Sequence, residues 1–404
     1  MTRSINRALA TTLLLTVVSA CSPESGHGHV SPAAVGCSGR VDTGRPLAGT
    51  SLRTFDLPDP PFSVMALPGG QLLVAALTVH TDLGDHGELA VLAVHGSGAR
   101  PTRLVALPPP VGGGSGMALT HDGRLLLVAA ETATAVVSVT KLQDGAHHPV
   151  VGILHDGELG QYDVAVSADD RYAFVADENS GGLSVFNLAL ALRNGFSAAG
   201  VAVGMIHLGR GAVGVAAAPG GSRVYVTTLG GYGPLGQLWV IDARRAEHRA
   251  DRAAVIAHVR AGCQPTRVAV SPDGKTLWVS ALQSNALLGY STTVLERHPA
   301  RALRAVVRVG SQPVGMLLLD HGRAAVIADS NRFSQMPGAA GKGSSSRISV
   351  VSTAAALNGH RAVVGYLPAG LFPRDLGYDP ATREILIANY LSDTVELLHT
   401  PALP

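Results

Sequence analysis

Charged and amide side chains recur at the borders of the apolar runs in this sequence, and side chains of these types can bind ligands or take part in catalysis. Arg267 and Arg374 stand at the starts of apolar runs, and Arg374 directly precedes Asp375; an arginine can bind a carboxylate or phosphate through two parallel hydrogen bonds. We therefore predict a site for a polar or anionic small molecule. The alternative is that these residues bond to one another as structural ion pairs. The candidate ligand-binding residues are Asp163, Gln264, Arg267, Gln312, Arg374, Asp375 and Asn389.

Other kinds of site have little support in the sequence. The His residues and the three Cys do not have the spacing of a metal site, so we predict none. No Gly-x-Ser-x-Gly motif occurs, and the glycine-rich residues 112–116 lack the Lys-Ser/Thr step of a phosphate-binding loop. We predict no cofactor and leave open a divalent cation held by acidic and Asn oxygens on the axis of the fold. The 31 basic and 29 acidic residues give a formal charge of only +2, which provides no electrostatic basis for nucleic-acid binding.

The elements that must position these residues are copies of one motif. Each copy has an apolar run, a turn rich in Pro, Asp and Gly, and a second apolar run, as in Val268–Val279. A period of about fifty residues made of short strands is typical of a four-stranded propeller blade. The sequence therefore predicts an all-β fold, a seven-bladed β-propeller, in preference to a β-sandwich or two domains. The copies begin at Val64, Met117, Val164, Val215, Val268, Met316 and Leu376.

The last copy is one strand short. It contains strand-like segments at 376–378, 384–388 and 394–398, whereas residues 52–57 form an unassigned strand ahead of the first copy. A ring of blades that does not pair its first and last strands leaves a free edge. We therefore predict that residues 52–57 pair with residues 394–398 and complete the last blade.

Propeller geometry predicts where the candidate residues gather. With the four strands of a blade named a to d from the channel outwards, the d-to-a crossings and the b-to-c loops lie on one face, which we name the crossing face. The crossings carry residues such as Asp163 and Arg374, and the b-to-c loops carry Glu178 and Asn389. Function is expected at this end of the central channel. The longest b-to-c loop, residues 331–347, is rich in Gly and Ser and is either a lid or a tolerated insertion.

The N-terminus has the features of an export signal. Arg3 and Arg7 precede the apolar stretch 8–18, which is too short to span a bilayer. The next residues, Val18–Cys21, resemble the lipobox of bacterial lipoproteins, which implies cleavage before Cys21 and a lipid on its thiol; an ordinary cleaved signal is the alternative. The predicted organisation is a signal peptide at 1–20, a flexible tether at 21–50 and the propeller at 51–404.

This resemblance implies a location in the cell envelope. The protein would be extracytoplasmic, anchored to a membrane by its lipid, and would face the periplasm or the cell surface. Once Cys21 carries lipid, Cys37 and Cys263 remain, and an oxidising compartment permits a disulfide between them. We predict this disulfide although the tether is expected to enter from the face opposite Cys263.

Two sets of residues resemble known propeller families. Val224–Thr228 and the turn Ser271–Gly274 are similar to the YVTN repeats of bacterial surface propellers. In the last copy, Phe372–Leu376 and Ile387–Val395 are similar to the closing blade of lactonase-family propellers of the 6-phosphogluconolactonase type.

The lactonase resemblance implies a hydrolase acting on a sugar-acid lactone. Arg374 would then hold an anionic group, and Glu178, in the Asp177-Glu178 step, would be the general base. The family's Pro-Arg-His step has no counterpart here, because Gln161–Asp163 stands in its place. Whether the protein is an enzyme is therefore left open, and a non-enzymatic binding or scaffold function is preferred. We expect a monomer whose partner is a small molecule or an envelope protein.

Overall fold

The computed structural model describes residues 35–37, 39–42, 44–82, 84–94, 100–230, 235–335, 346–399 and 403. These residues form seven four-stranded antiparallel sheets. The innermost strand of each sheet contacts the innermost strands of both neighbouring sheets, so the sheets close into a ring around a central channel. The predicted all-β fold, a seven-bladed β-propeller, is confirmed.

In every blade except the last, the four strands follow one another in chain order from the channel outwards. Blades 1 to 6 are consecutive groups of four strands from β2 to β25, and blade 7 combines β26, β27 and β28 with β1. The strands are β1 Ser51–Asp56, β2 Pro61–Ala66, β3 Leu72–Val79, β4 His86–Ala93, β5 Arg103–Ala106, β6 Gly114–Leu119, β7 Leu125–Ala130, β8 Ala133–Ser138, β9 Val150–Leu154, β10 Gln161–Val166, β11 Tyr172–Asp177, β12 Gly182–Asn187, β13 Ala202–His207, β14 Ala212–Ala217, β15 Arg223–Thr228, β16 Leu235–Asp242, β17 Val255–Cys263, β18 Pro265–Val270, β19 Thr276–Ala281, β20 Ala286–Ser291, β21 Leu303–Arg308, β22 Pro313–Leu319, β23 Ala324–Asp329, β24 Arg347–Ser352, β25 Val363–Pro368, β26 Pro373–Asp379, β27 Glu384–Asn389 and β28 Thr394–His399.

The hydrophobic core lies between the blades. Trp278 of blade 5 packs in one cluster with Ile327 of blade 6, and Tyr225 of blade 4 packs in another with Leu288 of blade 5. Because each blade is covered on both faces by its neighbours, the inner strands carry almost continuous apolar runs. This packing makes the ring a rigid frame for the loops at its two ends.

The N-terminal strand closes the ring as predicted. β1 pairs antiparallel with β28 in an unbroken register, from Ser51 opposite His399 to Asp56 opposite Thr394. Phe55, only 1% exposed, packs into the core cluster shared by blades 7 and 1. The two ends of the propeller domain are therefore fastened to each other by main-chain hydrogen bonds and by buried apolar surface.

The described residues also contain six short α-helices. Five of them follow a strand c directly, and each begins where a Ser, Asn or Asp side chain accepts a hydrogen bond from a backbone N–H of the first turn. None of the described helices has the length and apolar content needed to cross a membrane. The helices are α1 Val139–Gln143, α2 Leu188–Asn194, α3 Ala243–His248, α4 Thr292–Arg297, α5 Arg332–Gln335 and α6 Thr353–Leu357.

Of the segment that the sequence assigns to the tether, the described residues 35–37, 39–42 and 44–50 lie against blades 4 to 6 ahead of β1. Cys37 forms a disulfide with Cys263 at the end of β17, with the two Cα atoms 5.3 Å apart. Further along, the Asn285 amide donates a hydrogen bond to the Gly39 carbonyl at 2.8 Å. The segment runs along the edge of the ring, and this path brings Cys37 to Cys263. Residues 21–34, the predicted signal peptide 1–20 and Cys21 itself lie outside the described residues.

Candidate functional site

Every strand a has an irregular register near the crossing face. In each of the seven strands the pairing with strand b skips one or two residues. Such a bulge turns side chains away from the regular alternation of a strand. The skipped residues of blades 1, 3 and 7 are Phe62, Tyr162 and Arg374, and their side chains meet at the crossing-face end of the channel.

The guanidinium of Arg374 lies among aromatic rings. Its Cζ is 3.7 Å from the ring centroid of Phe62, 5.0 Å from that of Tyr390 and 5.4 Å from that of Phe372. Its Nη2 donates a hydrogen bond to the Tyr162 hydroxyl at 2.9 Å. The Nε atom is buried and has no hydrogen-bond partner in the described part of the chain. Cation–π contacts therefore hold the positive charge of Arg374 at the mouth of the channel, and its Nε–H remains available to donate a hydrogen bond.

Two b-to-c loops add a second arginine and an acid. The Cζ of Arg332, at the start of α5, is 5.4 Å from the Phe372 ring centroid, and no described residue accepts a hydrogen bond from its buried Nε. The Gln312 Oε1 accepts the backbone N–H of Phe333 at 2.9 Å and so fixes the turn that carries Arg332. Glu178 comes from blade 3 and interacts electrostatically with both arginines. We name the following residues the mouth cluster: Phe62, Tyr162, Glu178, Arg332, Phe372, Arg374 and Tyr390.

The charges of the mouth cluster do not balance. Burial raises the pKa of the Glu178 carboxyl, and the positive charges of Arg374 and Arg332 oppose that shift. Burial, followed by repulsion from Arg374, lowers the pKa of Arg332. An arginine keeps its charge at neutral pH because its ordinary pKa is so high. Two guanidinium groups therefore face one carboxylate in a partly desolvated site, which favours an anionic guest.

Below the mouth cluster, Arg267 lies in the channel between two carboxylates. Its Nη1 is 3.4 Å from the Asp163 Oδ2, and its Nε is 3.9 Å from the Asp375 Oδ1. The same Nη1 donates a hydrogen bond to the Val213 carbonyl at 3.0 Å. These three predicted ligand-binding residues thus pair with one another, whereas Arg374 and Glu178 lie apart from them in the mouth cluster.

Glycines in the alternate blades make room for these charges. Gly116, Gly214 and Gly315 occupy, in blades 2, 4 and 6, the strand position that carries a charged residue in blades 3, 5 and 7. A Cβ on Gly116 would lie 2.4 Å from the Asp163 Oδ1, and one on Gly315 would lie 2.8 Å from the Asp375 Cα. Any larger side chain at these glycines would displace the charged residue of the next blade.

The remaining predicted ligand-binding residues support the frame. Asn389 is fully buried, and its Nδ2 donates a hydrogen bond to the Thr394 Oγ1 at 3.2 Å within blade 7. The Gln264 carbonyl accepts the Leu282 N–H at 2.9 Å on the crossing before blade 5. Gln312 acts through the turn of α5, as described above. These contacts place the Asn389 and Gln312 side chains in supporting positions, whereas Gln264 is fixed through its main chain.

Two predictions about this face stay open. Residues 336–345, most of the loop for which a lid and a tolerated insertion are the alternatives, lie outside the described residues. Within the described ranges, no group of three or more His, Cys, Asp or Glu side chains is placed to hold a metal ion. On the channel axis, where a divalent cation was considered, the Arg267 guanidinium lies between the two carboxylates.

Sequence reasoning did not select Phe62, Arg332, Phe372 or Tyr390 for the site. Phe62 could have been found, because it occupies the same strand-a position as Tyr162 and Arg374 in their blades. Arg332 follows strand b in an irregular loop, where the repeat gives no register for comparison.

Two more acids are buried near the crossing face, at the ends of strands b. In Asp177, one carboxylate oxygen accepts hydrogen bonds from the Ser184 N–H and hydroxyl, and the other has no partner among the described residues. Burial raises the pKa of Asp177 to about 8. In Asp329, one carboxylate oxygen accepts a hydrogen bond from the Ser349 hydroxyl and lies 3.7 Å from the Arg347 Nε, and the other has no partner among the described residues. Burial raises the pKa of Asp329 to about 7, although Ser349 and Arg347 oppose the shift.

These acids predict that stability falls as the pH rises from 5 to 8. The folded state keeps a proton on Asp177 and Asp329, whereas in the unfolded chain these acids have their ordinary pKa and release it. Their contribution to the free energy of unfolding is therefore favourable at low pH and is lost as the pH rises through their raised pKa values. The free energy of unfolding, measured in urea across this range, should decrease with pH. Asp177→Asn, which stays neutral, should flatten the slope.

A matched variant separates this effect from general charge loss. Asp273 is an exposed turn acid whose pKa lies below its ordinary value because of the Ser271 hydroxyl, so it is ionised in both states throughout this range. Asp273→Asn should leave the slope unchanged. An unchanged slope in Asp177→Asn would contradict the assignment.

The fold is shared with proteins of several kinds. Hydrazine synthase of Kuenenia stuttgartiensis is 17% identical, with a TM-score of 0.64, and the match covers 89% of this chain and 99% of that chain. The Cps50 (Swd1) β-propeller domain of Myceliophteria thermophila is 12% identical, with a TM-score of 0.60 and coverage of 86% and 99%. A chain of the mitotic checkpoint complex is 13% identical, with a TM-score of 0.63 and coverage of 98% and 100%. At these identities the likeness concerns the propeller fold alone.

No family model matches the chain, and no curated protein sequence matches it. The function must therefore be argued from the site itself.

Proposed function

We propose that this protein is a binding propeller of the cell envelope, anchored by a lipid on Cys21, whose mouth cluster holds a small anionic molecule. The observation that carries the proposal is the pair Arg332 and Arg374, each with a buried Nε that has no partner among the described residues. A carboxylate or phosphate would accept hydrogen bonds from both guanidinium groups and would balance the excess positive charge.

The surroundings of the two arginines suggest that the anion has an apolar part. Leu371 and Leu391 are 49% and 38% exposed, and Phe333 is 41% exposed, all in the crossing-face loops of blades 6 and 7. The Leu391 N–H donates a hydrogen bond to the Leu371 carbonyl, so these two side chains share one stretch of the rim. Exposed apolar residues next to a cluster of charged side chains are typical of interaction surfaces.

A panel of small anions with neutral analogues tests the proposal. Benzoate and phenyl phosphate should raise the unfolding temperature of the full chain, whereas benzamide and phenol should not. A ligand at a hundred times its Kd adds about 2.7 kcal/mol to the stability of a protein that binds it only when folded. Equal shifts from the neutral analogues would contradict an anion site. The absence of any shift, together with binding to an envelope protein, would contradict the assignment of a small-molecule ligand.

The location in the envelope is supported by the sequence around Cys21 and by the disulfide. A disulfide between Cys37 and Cys263 persists in an oxidising compartment. The diacylglyceryl group proposed on Cys21 would hold the protein at a membrane, because one acyl chain is marginal and several are sufficient.

Changing Cys21 to Ala is therefore expected to abolish both lipid attachment and cleavage before residue 21. The variant should lose the added lipid mass, measured by mass spectrometry of the N-terminal peptide. Ser22→Ala serves as the matched control and should keep the lipid. An unmodified Cys21 inside a longer mature chain would show that the lipoprotein assignment is wrong.

One observation favours the hydrolase as a second candidate. Glu178, whose pKa is raised by burial, lies within electrostatic range of Arg374, and a general base with a raised pKa beside an anion-holding arginine suits lactone hydrolysis. The test is a panel of sugar lactones assayed with the full chain and with Glu178→Gln. Hydrolysis at enzyme-like rates that is lost in Glu178→Gln would replace the binding function with the hydrolase. Anion binding without hydrolysis would support the binding function.

A further inference from the structure

A cavity of about 700 Å³ opens at the other end of the channel. It lies on the face that carries the a-to-b turns, which we name the turn face, between the turn at 67–70 of blade 1 and the turn at 380–381 of blade 7. Its walls are formed by the turn-face halves of the strands a and are mostly apolar. The wall side chains that matter most are Met65, Met117, Leu119, Leu317 and Tyr378.

The floor of this cavity is charged. Asp163, Arg267 and Asp375 line it from the middle of the channel. Asp163 accepts the Val215 N–H at 3.1 Å and lies 3.4 Å from the Arg267 Nη1, so it is well partnered. Asp375 is less well partnered, since its ion-pair contact with the Arg267 Nε is 3.9 Å long.

The floor therefore holds two carboxylates against one guanidinium. When both acids are ionised, Arg267 offsets only one of them on the cavity side, and the charge of Arg374 reaches Asp375 from the mouth side, outside the cavity lining. A buried carboxylate in this state is costly unless a cation joins it.

We propose that the turn-face cavity is a second binding site, distinct from the mouth cluster, for a cationic amphiphile with a protonated primary amine and an apolar body. The ammonium would donate hydrogen bonds to Asp375 and supply the missing positive charge. The apolar body would pack against Met65, Met117 and Tyr378, since methionine adapts to varied shapes and a tyrosine ring offers a large apolar surface. The volume falls within the range that encloses molecules of drug size.

The proposal implies a pH dependence with a definite sign. Burial raises the pKa of Asp375 to about 6 in the free protein, with Arg267 opposing the shift and Asp163 adding to it. Arg374 also acts on Asp375 from the mouth side, and Asp379 lies at the rim of the cavity. A bound ammonium favours ionised Asp375, so affinity is full well above pH 6, is about halved near pH 6 and falls further as the pH drops below it. Between pH 8 and pH 5 the Kd should rise about tenfold.

The experiment is calorimetric titration of the full chain with 4-phenylbutylamine at pH 8 and pH 5. The alcohol 4-phenylbutanol and the acid 4-phenylbutanoate are the neutral and anionic controls. We expect the amine to bind at least about tenfold more tightly than either control at pH 8, since hydrogen bonds to charged groups contribute more than 1 kcal/mol. Asp375→Asn should remove this preference, whereas Asp122→Asn, an exposed turn-face acid outside the cavity, should keep it.

The pH series and the three-compound comparison need no variant, so they test the proposed amine site even if Asp375→Asn fails to fold. Equal affinities for the amine and the alcohol would overturn the proposal. So would the absence of amine binding at millimolar concentration, or amine binding that does not weaken between pH 8 and pH 5.

Discussion

Removing residues 51–58 will cost the propeller more stability than any single substitution described above. These residues include the whole of β1, and their loss leaves β28 as an open edge. Phe55 lies in the core between blades 7 and 1, and truncating a buried Phe to Ala alone costs about 3–5 kcal/mol. Adding the lost main-chain pairing, we expect the unfolding temperature to fall by about 10 °C or more.

The comparison must keep the disulfide constant, because deletions from the N-terminus also remove Cys37. Two truncated proteins, both carrying Cys263→Ser, should be compared by calorimetry: one lacking residues 1–50 and one lacking residues 1–58. They differ only in residues 51–58, which are the closing strand and the two residues that follow it. The shorter protein should also aggregate more readily, because it exposes an unpaired strand edge. Equal melting of the two proteins would contradict closure by β1.

The change Arg374→Ala will weaken anion binding by about a hundredfold. It removes one of two guanidinium groups that would contact the anion, and hydrogen bonds to charged groups contribute about 1.5–3 kcal/mol each. The fold should persist, because Arg374 lies in a bulge at the channel mouth and not between the blades. Titration of benzoate or phenyl phosphate into the variant measures the loss.

Two variants make this result specific. Arg374→Lys keeps the charge but loses the planar, forked donor, so its affinity should lie between those of the original protein and the alanine variant. Arg124→Ala removes an arginine whose side chain is 82% exposed on the turn face and should leave anion binding unchanged. Equal affinity in Arg374→Ala and Arg124→Ala would mean that the anion binds elsewhere.

The fold was predictable because the chain repeats one motif. Residues that begin the seven copies, such as Val64 and Leu376, all lie in strands a of the structure. The closing strand followed from counting strands in the last copy. The repeat shows the same pattern seven times, so a wrong strand assignment in one blade does not alter the predicted architecture.

The sequence analysis did not predict the short helices, although N-cap residues mark where they begin. Ser138, Asp242 and Ser352 end their strands c as N-cap residues, and helices α1, α3 and α6 follow at once. Helices this short have no apolar periodicity to detect, and only the capping residue marks them. The path of the described residues between 35 and 50 could be predicted only at Cys37, through its disulfide with Cys263, because the rest of the path depends on hydrogen bonds with distant blades.

The candidate site was predicted in part. Arg374 and Glu178 were selected, and both belong to the mouth cluster. Asp163, Arg267 and Asp375 were also selected, but they pair below the mouth; the glycines at the matching positions of blades 2, 4 and 6 could have revealed this arrangement. Arg332 lies in an irregular loop of a different blade, so only the closed ring places it beside Arg374.

The position of a bound anion tests the central claim most directly. A crystal of the full chain with 4-bromobenzoate would locate the bromine by its anomalous scattering. The account predicts the carboxylate between the guanidinium groups of Arg332 and Arg374, with the ring against the aromatic side chains of the mouth cluster. A carboxylate bound anywhere else, with both arginines unchanged, would contradict the claim that this mouth is an anion-binding site.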